Sequence, residues 1–100
     1  LLNNPHNPTG SVIGAAALAR IVATAARHDA LVVSDEVYEH LVFDDHPFTP
    51  IASVPGAHER ALTISSAAKT FRVTGWKIGW ITGPAPLIEA VMAVKQYLTY

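Results

Sequence analysis

Short apolar runs alternate along the chain with an amphipathic segment, and this pattern predicts strands and helices in succession. Residues 1–2, 31–33 and 61–65 are dominated by aliphatic and β-branched residues, which favours buried β-strands. Between the first two runs, apolar positions recur at helical spacing and polar positions fall on the opposite face. The apolar positions are Ile13, Ala17, Leu18, Ile21, Val22 and Ala25, and the polar ones are Arg20, Thr24, Arg27 and His28. We therefore expect a strand, a helix and a second strand.

A helix that connects two strands, each apolar on both faces, is typical of a parallel sheet. A fourth strand is predicted at residues 77–83, about ten residues after the third, whereas a parallel crossover usually needs about a dozen or more. We therefore expect the fourth strand to run antiparallel to the third, which returns Lys77 to the sheet edge where Lys69 lies. The expected fold class is α/β, a mostly parallel sheet with flanking helices and one antiparallel strand.

The remaining segments are interpreted mainly as loops, with one further helix near the end of the chain. Residues 3–10 hold two prolines, three asparagines and a glycine, which indicates a loop. The first helix begins at Ser11 or a few residues later, and residues 36–43 fit either a short helix or an extended segment. Residues 51–60 leave room for at most one helical turn. The last helix starts at residues 84–86, and we expect its apolar stripe to be buried. That stripe consists of Leu87, Ile88, Val91, Met92, Val94 and Leu98.

Composition and charge exclude several classes of function. The formal net charge of −1 gives no electrostatic argument for binding nucleic acid or a membrane surface. The chain has no cysteine and its five histidines lack metal-ligand spacing, so we expect no metal site. The longest apolar stretch, residues 12–26, contains Arg20 and is too short to span a bilayer. No targeting peptide is visible, and the abrupt start inside a predicted strand suggests a piece of a longer chain.

Polar side chains lie in the loops that the predicted topology brings to one edge of the sheet. Open α/β sheets bind ligands at the carboxyl ends of their strands, and Lys69 follows the third predicted strand among small residues. We interpret Lys69 as a reactive amine. The side chains expected beside it are Asn7, Asp35, Tyr38, Ser66 and Lys77. Taken singly, each is explained as a turn former, a helix cap, a core residue or a solvated side chain. Their joint placement favours a binding site.

Three segments in these loops resemble the signature segments of class I pyridoxal-phosphate aminotransferases. They are NPTG at residues 7–10, DEVY at residues 35–38 and SAAK…GWKIG within residues 66–79, in the same order as in that family. The resemblance implies fold type I, the cofactor pyridoxal 5′-phosphate, and transfer of an amino group from an amino acid to a 2-oxo acid. It also implies that residues 1–100 are a partial cofactor-binding large domain of a longer, homodimeric, cytoplasmic enzyme.

The resemblance assigns a role to each residue of the predicted site. Lys69 would form a Schiff base with the cofactor and carry the proton between substrate and cofactor. Asp35 would pair with the pyridine nitrogen and keep it protonated. The other implied contacts are Asn7 and Tyr38 with the phenolic oxygen, and Ser66 and Lys77 with the phosphate. Many family members have arginine where Lys77 stands, so a bidentate phosphate clamp becomes a point charge here.

A finer resemblance, in DEVYEHLVFDDH at residues 35–46 and SSAAK at residues 65–69, is to N-succinyldiaminopimelate aminotransferases of lysine biosynthesis. Kynurenine- and methionine-type aminotransferases are also similar. The amino donor therefore stays open between N-succinyl-LL-2,6-diaminopimelate, glutamate and these other amino acids. A β-lyase on the same cofactor scaffold is a further alternative, and so is an aminotransferase-like effector domain of a transcriptional regulator.

Four other residues near the predicted site are given structural roles. Glu36 and Glu39 follow Asp35 closely, and we interpret them as part of a solvated helix face. Trp76 and Trp80 flank the segment that holds Lys77. We expect both tryptophans to pack in the core or at a subunit interface.

Overall fold

The computed structural model describes residues 1–99; Tyr100, the last residue of the predicted domain, lies outside the described residues. A four-stranded sheet holds, in spatial order, β1 (Leu2–Asn3), β2 (Val32–Asp35), β3 (Ala61–Ser66) and β4 (Gly79–Thr82). β1, β2 and β3 are parallel to one another, and β4 runs antiparallel to β3. The predicted α/β fold with one antiparallel strand is confirmed.

Within residues 1–99, three helices and two 3₁₀ turns connect the strands. They are α1 (Ala15–Arg27), α2 (Ala67–Thr70), α3 (Ala85–Lys95) and the 3₁₀ turns Ile51–Ser53 and Thr74–Trp76. α1 begins after Gly14 rather than at Ser11, because Ser11 still belongs to the loop, where its carbonyl accepts the His6 N–H at 2.9 Å. Residues 36–43 contain turns and no helix or strand. In this described part of the chain, no helix is long and apolar enough to cross a membrane.

The hydrophobic core lies between α1 and the central strands of the sheet. α1 contributes Leu18 and Val22, which cluster with Val32 of β2 and with Ile51. The predicted polar face of α1 is exposed, as expected. Full burial of an aliphatic side chain contributes about 1.5–3 kcal/mol. This cluster therefore fixes α1 and the Ile51 turn against the sheet, and with them the loops at the sheet edge.

The apolar stripe of α3 is not buried, and that prediction is wrong for residues 1–99. No residue of α3 is buried, and Met92 and Leu98 are 58% and 74% exposed. The physical reason is position: the core cluster lies against β2 and β3, whereas α3 follows the edge strand β4. A groove of about 420 Å³ separates Ile81 of β4 from Ile88 of α3.

The two tryptophans are not core residues either. Trp76 is 72% exposed and Trp80 is 38% exposed. The Trp80 ring lies beside Phe71, with 6.5 Å between the ring centroids. The core interpretation is wrong because the core cluster does not extend to β4 or to the turn before it. The alternative placement at a subunit interface stays a prediction.

β4 begins at Gly79, so Lys77 precedes the strand instead of starting it as predicted. Lys77 has a φ of 52°, a left-handed conformation that an extended strand does not accommodate. A Cβ atom at Gly79 would lie 2.9 Å from the Ser65 carbonyl oxygen, so glycine permits the close pairing of β4 with β3. This pairing brings the Lys77 segment back beside α2.

Candidate active site

The segments that follow β1, β2 and β3 meet at one edge of the sheet. Asn3 pairs in register with Asp35, and Asp35 pairs with Ile64, so these three residues form one row across the sheet. Beyond this row lie the loop at residues 4–10, the turn at residues 37–40 and helix α2. This is the edge at which parallel α/β sheets bind ligands. The expected convergence of the three loops is therefore observed.

Asn3 and Asn4 hold the Asn7 loop against β2 and α1. The Asn3 Nδ2 donates to the Asp35 carbonyl at 3.3 Å, and its Oδ1 accepts the Asn7 N–H at 2.8 Å. The Asn4 N–H donates to the same Asp35 carbonyl at 3.0 Å. The buried Asn4 Oδ1 accepts the Ile13 N–H at 2.8 Å. The sequence interpretation missed both asparagines as anchors, because a loop rich in asparagine does not show which of its side chains turn inward.

Asn7, Tyr38 and Lys69 are brought together at this edge. The Asn7 Nδ2 donates to the Tyr38 Oη at 3.4 Å, which is a long and weak hydrogen bond. The Lys69 Nζ lies 5.6 Å from the centroid of the Tyr38 ring, within the range of a cation–π contact. In residues 1–99, no carboxylate lies within ion-pair distance of this amine. The exposed amine is thus positioned over an aromatic ring and open to a ligand.

Asp35 is half-buried at the end of β2. Its Oδ1 accepts the Val37 N–H at 3.2 Å, so the carboxylate caps the turn that carries Tyr38. Within the described residues, no lysine, arginine or histidine forms an ion pair with it. A partly desolvated carboxylate without a cationic partner favours a protonated nitrogen on a bound ligand.

Ser66 and Lys77 lie on neighbouring backbone segments at the start of α2. Ser66 ends β3 and pairs in register with Gly79. The Ala67 N–H donates to the Ile78 carbonyl at 3.0 Å, which holds the Lys77 segment next to α2. The Ser66 hydroxyl makes no capping hydrogen bond to α2. Among residues 1–99, no hydrogen bond joins the side chains of Ser66 and Lys77 to each other or to Lys69.

A groove of about 230 Å³ runs beside Asn7 and Tyr38. Most of its other lining is apolar and comes from Pro5, Pro8, Leu41 and Phe43, with His6 and Gly10 completing it. The part of the chain described by the structure has no group of three or more histidine, aspartate or glutamate side chains arranged to hold a metal ion. The polar groups at this edge are an amine, a carboxylate, an amide and a phenol, with the Ser66 hydroxyl and the Lys77 ammonium on neighbouring segments.

Glu36 is buried, and its interpretation as part of a solvated helix face is wrong. The residue is 1% exposed. Its Oε1 accepts the Ser34 hydroxyl at 2.9 Å and the Ile51 N–H at 2.8 Å. Burial is the main cause that raises the pKa of Glu36 above its ordinary value of 4.5; the hydrogen bonds from Ile51 and Ser34 oppose this, and the nearby Glu39 adds to it. Glu36 lies at the start of a turn, which directs its carboxylate inward. The hydrogen bond from the Ile51 N–H to this carboxylate closes the loop from residue 37 to residue 50.

We expect the stability contribution of Glu36 to depend on pH. Because its pKa is raised in the folded state, the folded protein binds the proton more tightly than the unfolded chain. The free energy of unfolding therefore falls as the pH rises from 4.5 through the folded pKa. Glu36→Gln keeps an oxygen acceptor and cannot ionise. The difference in thermal unfolding midpoint between Glu36→Gln and the natural sequence should increase over this pH range and stay constant below it.

The matched control for this prediction is Glu59→Gln, since the Glu59 side chain is 71% exposed beside His58. It should leave the pH profile of the unfolding midpoint close to that of the natural sequence. A constant difference between Glu36→Gln and the natural sequence at every pH would contradict the prediction.

Glu39 is also wrongly interpreted as solvated, because its Oε1 accepts the Ser65 hydroxyl at 2.7 Å. Ser65 lies in β3 and is 4% exposed. The sequence offered one signal for this contact, a serine within a strand predicted to be buried. A buried hydroxyl needs a hydrogen-bond partner, but the sequence does not indicate which residue provides it.

Comparison with known proteins places the chain in a family. The sequence model of the family described as aminotransferase class I and II matches residues 1–100. A protein of Mycobacterium tuberculosis described as a probable N-succinyldiaminopimelate aminotransferase, DapC, is 56% identical over 100 residues, which cover all of this chain and 25% of that protein. Kynurenine–oxoglutarate transaminase 3 of Mus musculus is 50% identical over 100 residues, all of this chain and 22% of that protein.

Solved structures give the same result. The N-succinyldiaminopimelate aminotransferase of Mycobacterium tuberculosis superposes with a TM-score of 0.94 at 56% identity, over 99% of this chain and 26% of that one. YbdL from Escherichia coli, described as having a methionine aminotransferase function, superposes with a TM-score of 0.92 at 42% identity, over 98% of this chain and 26% of that one. The chain spans about a quarter of the length of these relatives. It belongs to the class I and II aminotransferase family.

Proposed function

We propose that these residues form part of the cofactor-binding domain of a pyridoxal-phosphate-dependent aminotransferase. The enzyme would move an amino group from an amino acid to a 2-oxo acid. The observation that carries this proposal is the placement of the Lys69 amine 5.6 Å from the Tyr38 ring centroid, with the Asn7 amide 3.4 Å from the Tyr38 hydroxyl. The amine, phenol and amide come from three separate loops, and the sheet edge brings them together.

The cofactor of this family is pyridoxal 5′-phosphate, so the cofactor prediction is confirmed at that level. The residues of the site fit it. The Lys69 amine is free of ion pairs within residues 1–99, and so is the Asp35 carboxylate. When bound, the cofactor supplies an aldehyde for covalent attachment and a ring that accepts electrons from the substrate Cα.

Each predicted residue would then have a defined role. Lys69 Nζ would attach the cofactor and would accept the proton that leaves the substrate Cα. Asp35 would hold a proton on the ring nitrogen. A carboxylate about 4 Å from a positive charge stabilises that charge by about 4 kcal/mol at an effective dielectric of 20. Asn7 Nδ2 and Tyr38 Oη donate to the phenolic oxygen. Their mutual hydrogen bond is long, which leaves both groups able to turn toward a stronger acceptor.

Ser66 and Lys77 would hold the phosphate. The Ser66 hydroxyl has no role in capping α2, and the Lys77 ammonium is exposed on the neighbouring segment. A hydroxyl donor and a cation are the groups that a phosphate dianion favours. The left-handed backbone at Lys77 turns the chain between the Thr74–Trp76 turn and β4, which keeps this residue beside α2.

The substrate is proposed from the relatives. Identity of 56% to the Mycobacterium tuberculosis protein favours N-succinyl-LL-2,6-diaminopimelate, with glutamate as the other amino acid of the pair. A kynurenine-type substrate is the second candidate, because the kynurenine–oxoglutarate transaminase of Mus musculus is 50% identical over the same 100 residues. We expect the residues that bind the substrate carboxylate to lie outside the printed sequence. By the same family resemblance, the enzyme would be a cytoplasmic homodimer.

An amino-donor screen tests the function directly. The full-length protein, loaded with pyridoxal 5′-phosphate, should convert 2-oxoglutarate to glutamate with N-succinyl-LL-2,6-diaminopimelate as donor, and more slowly with kynurenine or methionine. Glutamate formation is measured for each donor. Release of a keto acid from a cysteine conjugate without any 2-oxo acid acceptor would favour the β-lyase alternative. No turnover with any donor, together with DNA binding, would favour the regulator.

A further inference from the structure

The turn that carries Tyr38 is attached to the fold at both of its ends by carboxylates. On one side, Glu36 accepts hydrogen bonds from Ser34 and from the backbone of Ile51. On the other, Glu39 accepts the hydroxyl hydrogen of Ser65 at 2.7 Å. Tyr38 lies between these two anchors.

The second anchor reaches the strand that leads into the Lys69 helix. Ser65 is 4% exposed and directly precedes Ser66. Within the turn, the Glu39 N–H donates to the Glu36 carbonyl at 2.9 Å, and the Leu41 N–H donates to the Tyr38 carbonyl at 2.8 Å. Backbone hydrogen bonds within the turn therefore link the position of Glu39 to that of Tyr38.

The Tyr38 ring lines the same groove as Leu41 and Phe43, but few polar contacts orient its phenol. Its hydroxyl has one long hydrogen bond, 3.4 Å from Asn7, and the Lys69 ammonium lies 5.6 Å from its ring centroid. A hydrogen bond to a carboxylate is shorter and stronger than a neutral one. The first end of the turn is tied to β3 by a backbone hydrogen bond, from the Glu36 N–H to the Ile64 carbonyl at 2.9 Å. The contact between Glu39 and Ser65 is the side-chain hydrogen bond that ties the second end of the turn to β3.

Among the described residues, two other titratable side chains lie near Glu39, the Glu36 carboxyl and the His40 imidazole. The His40 Nε2 lies 3.9 Å from the same Oε1, but the His40 side chain is 66% exposed. An exposed pair of this kind contributes little. Removing His40 therefore separates the effect of this ion pair from that of the Ser65 contact.

We propose that Glu39 is a positioning residue, whose hydrogen bond to Ser65 holds the Tyr38 phenol at the distance from Lys69 that cofactor binding requires. This inference rests on the proposed function, in which Tyr38 donates to the phenolic oxygen of pyridoxal 5′-phosphate. Glu39 does not itself contact the cofactor. Its effect passes through the turn to Tyr38.

The test compares variants of the full-length holoenzyme by the absorbance of the bound cofactor as a function of pH. Tyr38→Phe sets the reference, because loss of a donor to the phenolic oxygen changes the pH midpoint of this absorbance. Glu39→Ala and Ser65→Ala should each shift the midpoint in the same direction as Tyr38→Phe, by a smaller amount. They should also lower kcat about 10- to 100-fold, since small displacements in an active site have effects of that size. Glu39→Gln retains an oxygen acceptor for Ser65 and should restore most of the natural midpoint.

Double variants separate positioning from a general loss of structure. In the Tyr38→Phe background, Glu39→Ala should add little further shift, because the group through which it acts is already gone. The controls are His40→Ala and Glu59→Ala, and both should leave the midpoint unchanged. A full additional shift in the Tyr38→Phe background would overturn the inference, and so would an unshifted midpoint in Glu39→Ala. If Tyr38→Phe itself leaves the midpoint unchanged, the assignment of Tyr38 in the proposed function is wrong and the inference falls with it.

Discussion

Replacing Lys69 with alanine in the full-length protein should abolish transamination. In the proposed function, the Lys69 amine attaches the cofactor covalently and moves the substrate proton, while the Lys77 amine holds the phosphate. Loss of the Lys69 amine should lower kcat by at least about 10⁴-fold, the upper end of what general acid–base catalysis contributes. The visible absorbance that depends on covalent attachment should disappear as well. Both are measured, by a spectrum of the purified variant and by glutamate formation from 2-oxoglutarate.

Two further variants make the Lys69 result specific. Lys69→Arg keeps the positive charge near Tyr38 but cannot attach an aldehyde in the same way, so it should be as inactive as Lys69→Ala. Lys95→Ala removes an exposed lysine at the end of α3, where it donates to Thr99, and should keep the activity. A Lys69→Ala variant that retains the covalent absorbance band would exclude Lys69 as the attachment residue.

Replacing Asp35 with asparagine should slow the reaction without abolishing cofactor binding. Asparagine keeps an oxygen to accept the Val37 N–H, which lies 3.2 Å from Asp35 Oδ1, so the turn should stay folded. In the proposed function, this change removes the negative charge that holds a proton on the ring nitrogen. Removing one preorganised electrostatic group from an active site typically costs about 10²–10³-fold in kcat. This step is measured in a single turnover, as the rate at which the hydrogen on the substrate Cα exchanges with solvent.

The control for Asp35→Asn is Asp35→Glu, which restores the charge with a longer side chain. It should recover part of the lost rate. Equal rates in the natural sequence and in Asp35→Asn would show that the charge of Asp35 has no part in proton removal, and would leave it only the role of capping the turn.

Much of the fold is predictable from local pattern. The strand at residues 61–65 is aliphatic and β-branched, and the short link to the next strand requires an antiparallel return. Both features depend on residues that are close together in the chain, and both are confirmed by the antiparallel pairing of β3 and β4. The burial of α3 was wrongly predicted for a different reason. An apolar stripe predicts that a helix face is shielded from water, but it does not show which part of the protein covers that face. In α3, Met92 is 58% exposed.

The spacing of the motifs predicted which loops converge. Asn7 and Lys69 follow strands and Asp35 ends one, and a parallel sheet brings such positions to one edge. What the spacing could not assign is the set of side chains that support them. Asn3 bridges Asp35 and Asn7, while Glu36 and Glu39 fix the turn between Asp35 and the rest of the fold. These contacts join residues 4 to 32 positions apart in the chain, so they depend on tertiary structure.

By itself, the sequence determined the order of the four strands and the two longer helices, the parallel pairing and the family signature around Lys69; the short helix α2, which holds Lys69, was not predicted. These are local properties, set by hydrophobic period, turn residues and the length of each link. Only the tertiary structure decided that Glu36 is buried, that Glu39 meets Ser65, and that the Tyr38 ring lies 5.6 Å from the Lys69 amine. The reason is that the burial and partner of a carboxylate depend on which distant segment packs against it, and no periodicity encodes that choice.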